Sequence, residues 1–225
     1  MDQNARENQW ASFRKDKADY LLSPDKAGNT ALHMSAQLGC EHVVADLIKQ
    51  GHDVNAKNNY GESVLYAAIT ALKLPVGDDR AIQQALFDAG ADVQAKTKSG
   101  ETLLHAAARK GDVQMCEYLV DRRGLDVNAR DVAGNTPLHE AAWGRGIAVD
   151  ALVERKADPS VRNAVGQTPR DLAVGAGAEK LDLAAIEQRL SKGVRSVDLP
   201  DPKTALTRLR SQPAQETRLA KGRSL

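Results

Sequence analysis

A six-residue phrase recurs five times in this chain, as Gly28-Asn-Thr-Ala-Leu-His33, Gly61-Glu-Ser-Val-Leu-Tyr66, Gly100-Glu-Thr-Leu-Leu-His105, Gly134-Asn-Thr-Pro-Leu-His139 and Gly166-Gln-Thr-Pro-Arg-Asp171. Successive copies lie 33, 39, 34 and 32 residues apart. A period of this length is one small supersecondary unit stacked on copies of itself, which yields an array with an extended surface and not a globule closed around a pocket. A second phrase keeps pace with the first: Gly51-His-Asp-Val-Asn-Ala56, Gly90-Ala-Asp-Val-Gln-Ala95, Gly124-Leu-Asp-Val-Asn-Ala129 and the degenerate Lys156-Ala-Asp-Pro-Ser160. Because the two shift together, every length difference falls between them, inside the helical part of a unit.

Each unit reads as two short helices. In the first, Thr30 caps a helix that starts at Ala31 and ends at Gly39, and a second helix runs from Glu41 to Gln50 and ends at Gly51. Val43, Val44, Leu47 and Ile48 share one helical stripe. Helices this short are marginal alone, so their stability has to come from stacking. Leu32, Leu65, Leu104 and Leu138 recur at one position, and the pairs Leu47-Ile48, Leu86-Phe87, Leu119-Val120 and Leu152-Val153 at another; these form the expected core. Lys156 stands where three other units have glycine, which predicts a strained left-handed helix end there.

These phrases closely resemble the ankyrin repeat, over Asp25 to about Lys192. The resemblance implies an all-α solenoid of stacked helix-turn-helix units with β-hairpin-like loops, acting as a non-catalytic protein–protein interaction module. The expected division is an N-terminal capping helix in 1–24, repeats at 25–57, 58–96, 97–130, 131–162 and 163–192, and a basic, flexible tail over 193–225. Trp10, Phe13, Leu21 and Leu22 give the first segment an apolar stripe that suits a cap, and a helix from Leu181 to Leu190 is expected to close the other end.

Composition narrows the partner classes. Only eight aromatic residues are present and none follows Trp143, so the core is aliphatic. The formal charge of +1 gives no general pull towards nucleic acid or membrane, although residues 193–225 carry seven Lys or Arg against three acids. Cys40 and Cys116 lie two repeat steps apart, too far to pair, and are expected to be reduced. With no leader-like apolar stretch and no glycosylation sequon, the expectation is a cytoplasmic monomer.

The fragments that suggest chemistry each lack a necessary part. His139-Glu140-Ala-Ala-Trp143 begins like a zinc-protease helix, but tryptophan stands where the second imidazole belongs. His33, His105 and His139 occupy one position of successive units and cannot converge on one ion; within the resemblance they are histidines that hydrogen-bond within and between units. Val174-Gly-Ala-Gly-Ala-Glu179 follows a helix and lacks the lysine and hydroxyl of a phosphate loop, and Asp78-Asp79 alone makes no cation cage. Neither catalytic residue, cofactor nor metal is expected.

What remains is surface. The resemblance implies binding through the hairpin tips and the inner helices, where the positions left free by the repeat hold Tyr60, Arg109, Lys110, Trp143 and Arg145. Tyrosine, tryptophan and arginine concentrate at interface hot spots, and this combination suits an acidic, partly apolar protein partner, with no small-molecule substrate. Trp143 either meets that partner or packs on the neighbouring repeat. The module is expected to serve as scaffold, adaptor or inhibitor; the alternative is a substrate-positioning accessory of an enzyme system, or a bacterial effector delivered to act on a host protein.

Overall fold

Thr30, Thr102 and Thr136 sit in extended backbone, and each begins a helix by exchanging hydrogen bonds with a histidine three residues on. Ser63 does the same work with its hydroxyl alone, accepting from the Tyr66 N–H at 3.2 Å. The computed structural model describes residues 23–71, 79–144 and 146–173. The expected capping helix within 1–24, the segment 72–78, Arg145, the glycine-rich fragment 174–179, the closing helix Leu181 to Leu190 and the tail 193–225 lie outside them, apart from the last two residues of the first.

The described residues form helices α1 Ala31–Gln37, α2 Glu41–Lys49, α3 Val64–Thr70, α4 Asp79–Asp88, α5 Leu103–Lys110, α6 Val113–Asp121, α7 Pro137–Trp143, α8 Val149–Glu154 and α9 Pro169–Leu172. No strand occurs among them, and one antiparallel bridge joins Lys57 to Ser63. The fold is therefore an all-α array of helix pairs. The odd-numbered helices stack one on the next as an inner layer, and α2, α4, α6 and α8 lie outside them. Leu32, Leu65, Leu104 and Leu138 are fully buried in the seams, as are Leu86, Leu119 and Leu152. The recurring outer pairs are not wholly core: Leu47, Ile48, Phe87 and Val120 are only partly buried, whereas Leu152 and Val153 are both buried.

Between units the hairpin tips are stitched by one repeated backbone bond. The N–H groups of Asn59, Lys98, Val132 and Ala164 each donate to the preceding tip, at the carbonyls of Ala27, Tyr60, Ser99 and Ala133, all at 2.8 Å. This closeness accounts for the tip glycines. A Cβ on Gly61 would stand 2.8 Å from the Lys98 nitrogen, and one on Gly134 would stand 3.0 Å from that of Ala164, besides facing a positive φ.

At the ends of the outer helices glycine serves backbone conformation alone: Gly51, Gly90 and Gly124 have positive φ and open space around a would-be Cβ. Lys156 adopts the same conformation with φ 65°, the strained end predicted from the sequence. Lys156→Gly is expected to stabilise the array by about 1 kcal/mol, read as a higher urea midpoint. A lower midpoint would mean that the lysine stem contributes packing that outweighs the backbone strain.

Candidate functional site

Seven residues after each capping Ser or Thr, one register of the inner layer holds Gln37, Thr70, Arg109 and Trp143. Arg109 of this register reaches Glu101 at the base of a tip, so in the four described units the register and the tips share one face. Trp143 ends α7 with 63 % of its surface exposed, which decides between the two sequence readings in favour of exposure. Tyr60 at a tip is 62 % exposed, and Val132 at a later tip is 78 % exposed. These apolar groups are not held by the core.

Arg109 and Lys110 behave differently from the sequence expectation. The Arg109 guanidinium is half-buried and salt-bridged to Glu101 of its own unit and to Glu140 of the next, with Nε donating to Glu140 Oε2 at 2.7 Å. Glu140 itself is buried. Tyr66 Oη donates to the other oxygen of Glu101 at 2.5 Å, so Tyr66, Glu101, Arg109 and Glu140 form one string across three units. Burial works against the charged guanidinium, but the hydrogen bond and attraction of Glu140 outweigh it and raise the Arg109 pKa. Burial, reinforced by the bond to Glu101, keeps the Tyr66 phenol protonated. Gly144 permits the approach of α7 to α5: a Cβ there would stand 2.8 Å from the Arg109 carbonyl oxygen.

Lys110 Nζ reaches back to the end of α3, donating to the carbonyls of Ala71 and, at 3.2 Å, Thr70. It thereby satisfies two carbonyls that a helix end leaves without partners. Of the three cations offered by the sequence as partner contacts, Arg109 and Lys110 are thus engaged inside the array, and Arg145 lies outside the described residues. The charges of these two residues are met within the array.

The signal for this string was present in the sequence. Glu140 stands at a position where the other units have Met34, Ala67, Ala106 and Leu172, and Tyr66 stands where the first, third and fourth units have histidine. A carboxylate on an otherwise apolar inner position needs a nearby cation, and Arg109 is one helix away.

The groups that could suggest chemistry are also accounted for. His33, His105 and His139 each face their capping threonine through Nδ1 and donate through Nε2 to a carbonyl of the next unit, at Glu62, Asn135 and Gln167, all at 3.1 Å. Glu101, Asp131 and Glu140 bring one oxygen each within 4.8 Å of the others, but the Arg109 guanidinium already supplies countercharge to two of the three. Burial pushes the Cys116 thiol up to about 12, so it is neutral and unreactive at physiological pH.

Comparison with protein families finds two matches. Ankyrin repeats, in three copies, match residues 71–163, and a single ankyrin repeat matches residues 27–59. Together they span more than half of the chain. Comparison with curated proteins gives no match.

Proposed function

The chain belongs to the ankyrin-repeat family, and on that premise we propose that it works as a non-catalytic scaffold, adaptor or inhibitor that holds a protein partner on the face of tips and inner helices. Repeats of this family are protein–protein interaction modules, typically without catalysis. The observation that carries the reading is the exposure of Trp143, Tyr60 and Val132 on that one face, where neither capping nor stacking requires an apolar side chain. Such groups bury much area at little entropic cost when a partner covers them. The contact we propose is led by apolar anchors, with Arg109 and Lys110 shaping the floor beneath it. No helix among the described residues is long and apolar enough to cross a membrane.

The test begins with a partner captured from the native cell. Trp143→Ala and Tyr60→Ala should then each weaken its binding by about 1–3 kcal/mol in calorimetry. Because both side chains are exposed, neither change should move the thermal midpoint by more than about 0.5 kcal/mol equivalent. Unaltered affinity in both variants would move the interface off this face.

A further inference from the structure

The outer layer holds a second candidate site, on the opposite side of the array. Helices α4 and α6 flank a cleft of about 210 Å³, lined by Arg80, Gln83, Gln84 and Phe87 from the first and by Gln114, Met115 and Tyr118 from the second, with Asp112 at the cap of α6. It lies at the unit lengthened in sequence, where the spacing between phrases reaches 39 residues. One wall is aromatic: the Phe87 and Tyr118 rings are 5.1 Å apart. Arg123 fastens that wall from outside, with its guanidinium carbon 4.7 Å and 5.2 Å from the two ring centres and Nε donating to Tyr118 Oη at 2.9 Å. The wall is therefore set before anything binds.

Gln83 is 4 % exposed, and its carboxamide has no hydrogen-bond partner among the described residues. Every other buried polar side chain described is bonded: the histidines and their threonines to one another, Ser35 and Ser63 to backbone, Asn58 to Asn29 and Glu62, and Glu140 to Arg109. The polar neighbours of Gln83 are also engaged, Gln84 with Asp88 and Asp112 with the Met115 N–H. A buried amide left alone is unfavourable, and such exceptions call for an occupant. A carboxamide presents a donor and an acceptor side by side, which is the complement of one peptide group. The cleft is smaller than the roughly 300 Å³ at which pockets for free small ligands begin, and suits one anchored residue of a longer chain.

We infer that this outer cleft takes a short peptide segment of another protein, with one aliphatic or aromatic side chain seated on Phe87, Met115 and Tyr118 and the adjoining peptide group paired with the Gln83 carboxamide. Arg123 is committed to the rings and Asp112 caps a helix, and Arg80 lines the cleft as well, so the seat for an apolar side chain is the wall of Phe87, Met115 and Tyr118. This inference does not depend on the inner face.

N-acetyl-leucine methylamide, titrated into the isotope-labelled full chain and followed by amide NMR, is the probe. Saturable shifts are expected at the Gln83 side-chain amide and in residues 83–87 and 112–118. N-acetyl-glycine methylamide, which keeps the peptide group and lacks the side chain, should bind about tenfold more weakly. Gln83→Met, close in volume but without the amide, should weaken the leucine probe about tenfold and, without probe, raise the urea midpoint. Trp143→Ala should leave the titration unaltered, which separates this site from the inner face. The inference is overturned if no saturable shifts occur in the cleft, if Gln83→Met binds the probe as well as the parent chain, or if the glycine probe binds as tightly as the leucine one.

Discussion

His105→Ala is expected to lower the unfolding free energy of the array by about 3 kcal/mol. The imidazole is fully buried, and its loss orphans the Thr102 N–H, takes one of two donors from the Asn135 carbonyl, which keeps the Asp131 N–H, and leaves a cavity between two units. Its chemistry also gives the effect a pH signature. The Thr102 N–H points at Nδ1, so Nδ1 is the acceptor and the proton sits on Nε2. Burial lowers the pKa of His33, His105 and His139 below the ordinary 6.5, with the bonds to the next unit's carbonyl partly opposing it. A folded pKa below the unfolded one means that the unfolded chain binds the proton first. The contribution is therefore complete above about pH 6.5 and declines as pH falls through that value towards the depressed one. Urea midpoints taken from pH 8 down to pH 5 should fall, and His105→Ala should fall less steeply than the parent. The low-pKa carboxylates Asp25, Asp158 and Asp171 act only near or below their ordinary 3.8, so they do not confuse this range. A flat profile between pH 7 and 5 would exclude the neutral-histidine seam.

The second large effect is expected at Arg109. Arg109→Met should cost about 2–3 kcal/mol, below the figure for a fully buried pair because about a third of the arginine side chain, 34 %, meets solvent. Most of that loss is the uncompensated Glu140 carboxylate, which is 90 % covered. The double variant Arg109→Met with Glu140→Met should consequently recover much of the stability, and a double-mutant cycle measures the coupling directly. Additive losses would show that the two residues do not act as a pair. Either way, a binding assay on an Arg109 variant reports first on folding, whereas Trp143 can be changed without that ambiguity.

Much of the array could be read from residues alone, because the repeated features are local. A threonine cap, the glycine that ends an outer helix and the lysine that replaces it at 156 act over a few positions of one chain segment, and the structure places them as the phrases predict. The inner face was legible only as a set of positions. Whether Arg109 meets solvent or a carboxylate depends on Glu140, 31 residues away and brought near by the close approach at Gly144. Phe87 looked like core because it follows Leu86 in a recurring pair. Its ring in fact leans on Tyr118 beyond the outer surface of the seam, and the unbonded Gln83 beneath it follows no periodicity at all.

The seams also differ in how readily the array could grow or be rearranged. A histidine seam asks only for a backbone carbonyl, which any incoming unit brings, so duplication after the first, third or fourth unit conserves the contact. The Tyr66 seam asks for an acid at one place, and only Glu101 is paired with it. A copy of the fourth unit inserted after the second would set the Tyr66 phenol against Asn135, an amide without the carboxylate's charge. Because Arg109 is in turn paired with Glu140 of the fourth unit, the second, third and fourth units are in this sense inherited as one block, with the freedom to lengthen lying on either side of it.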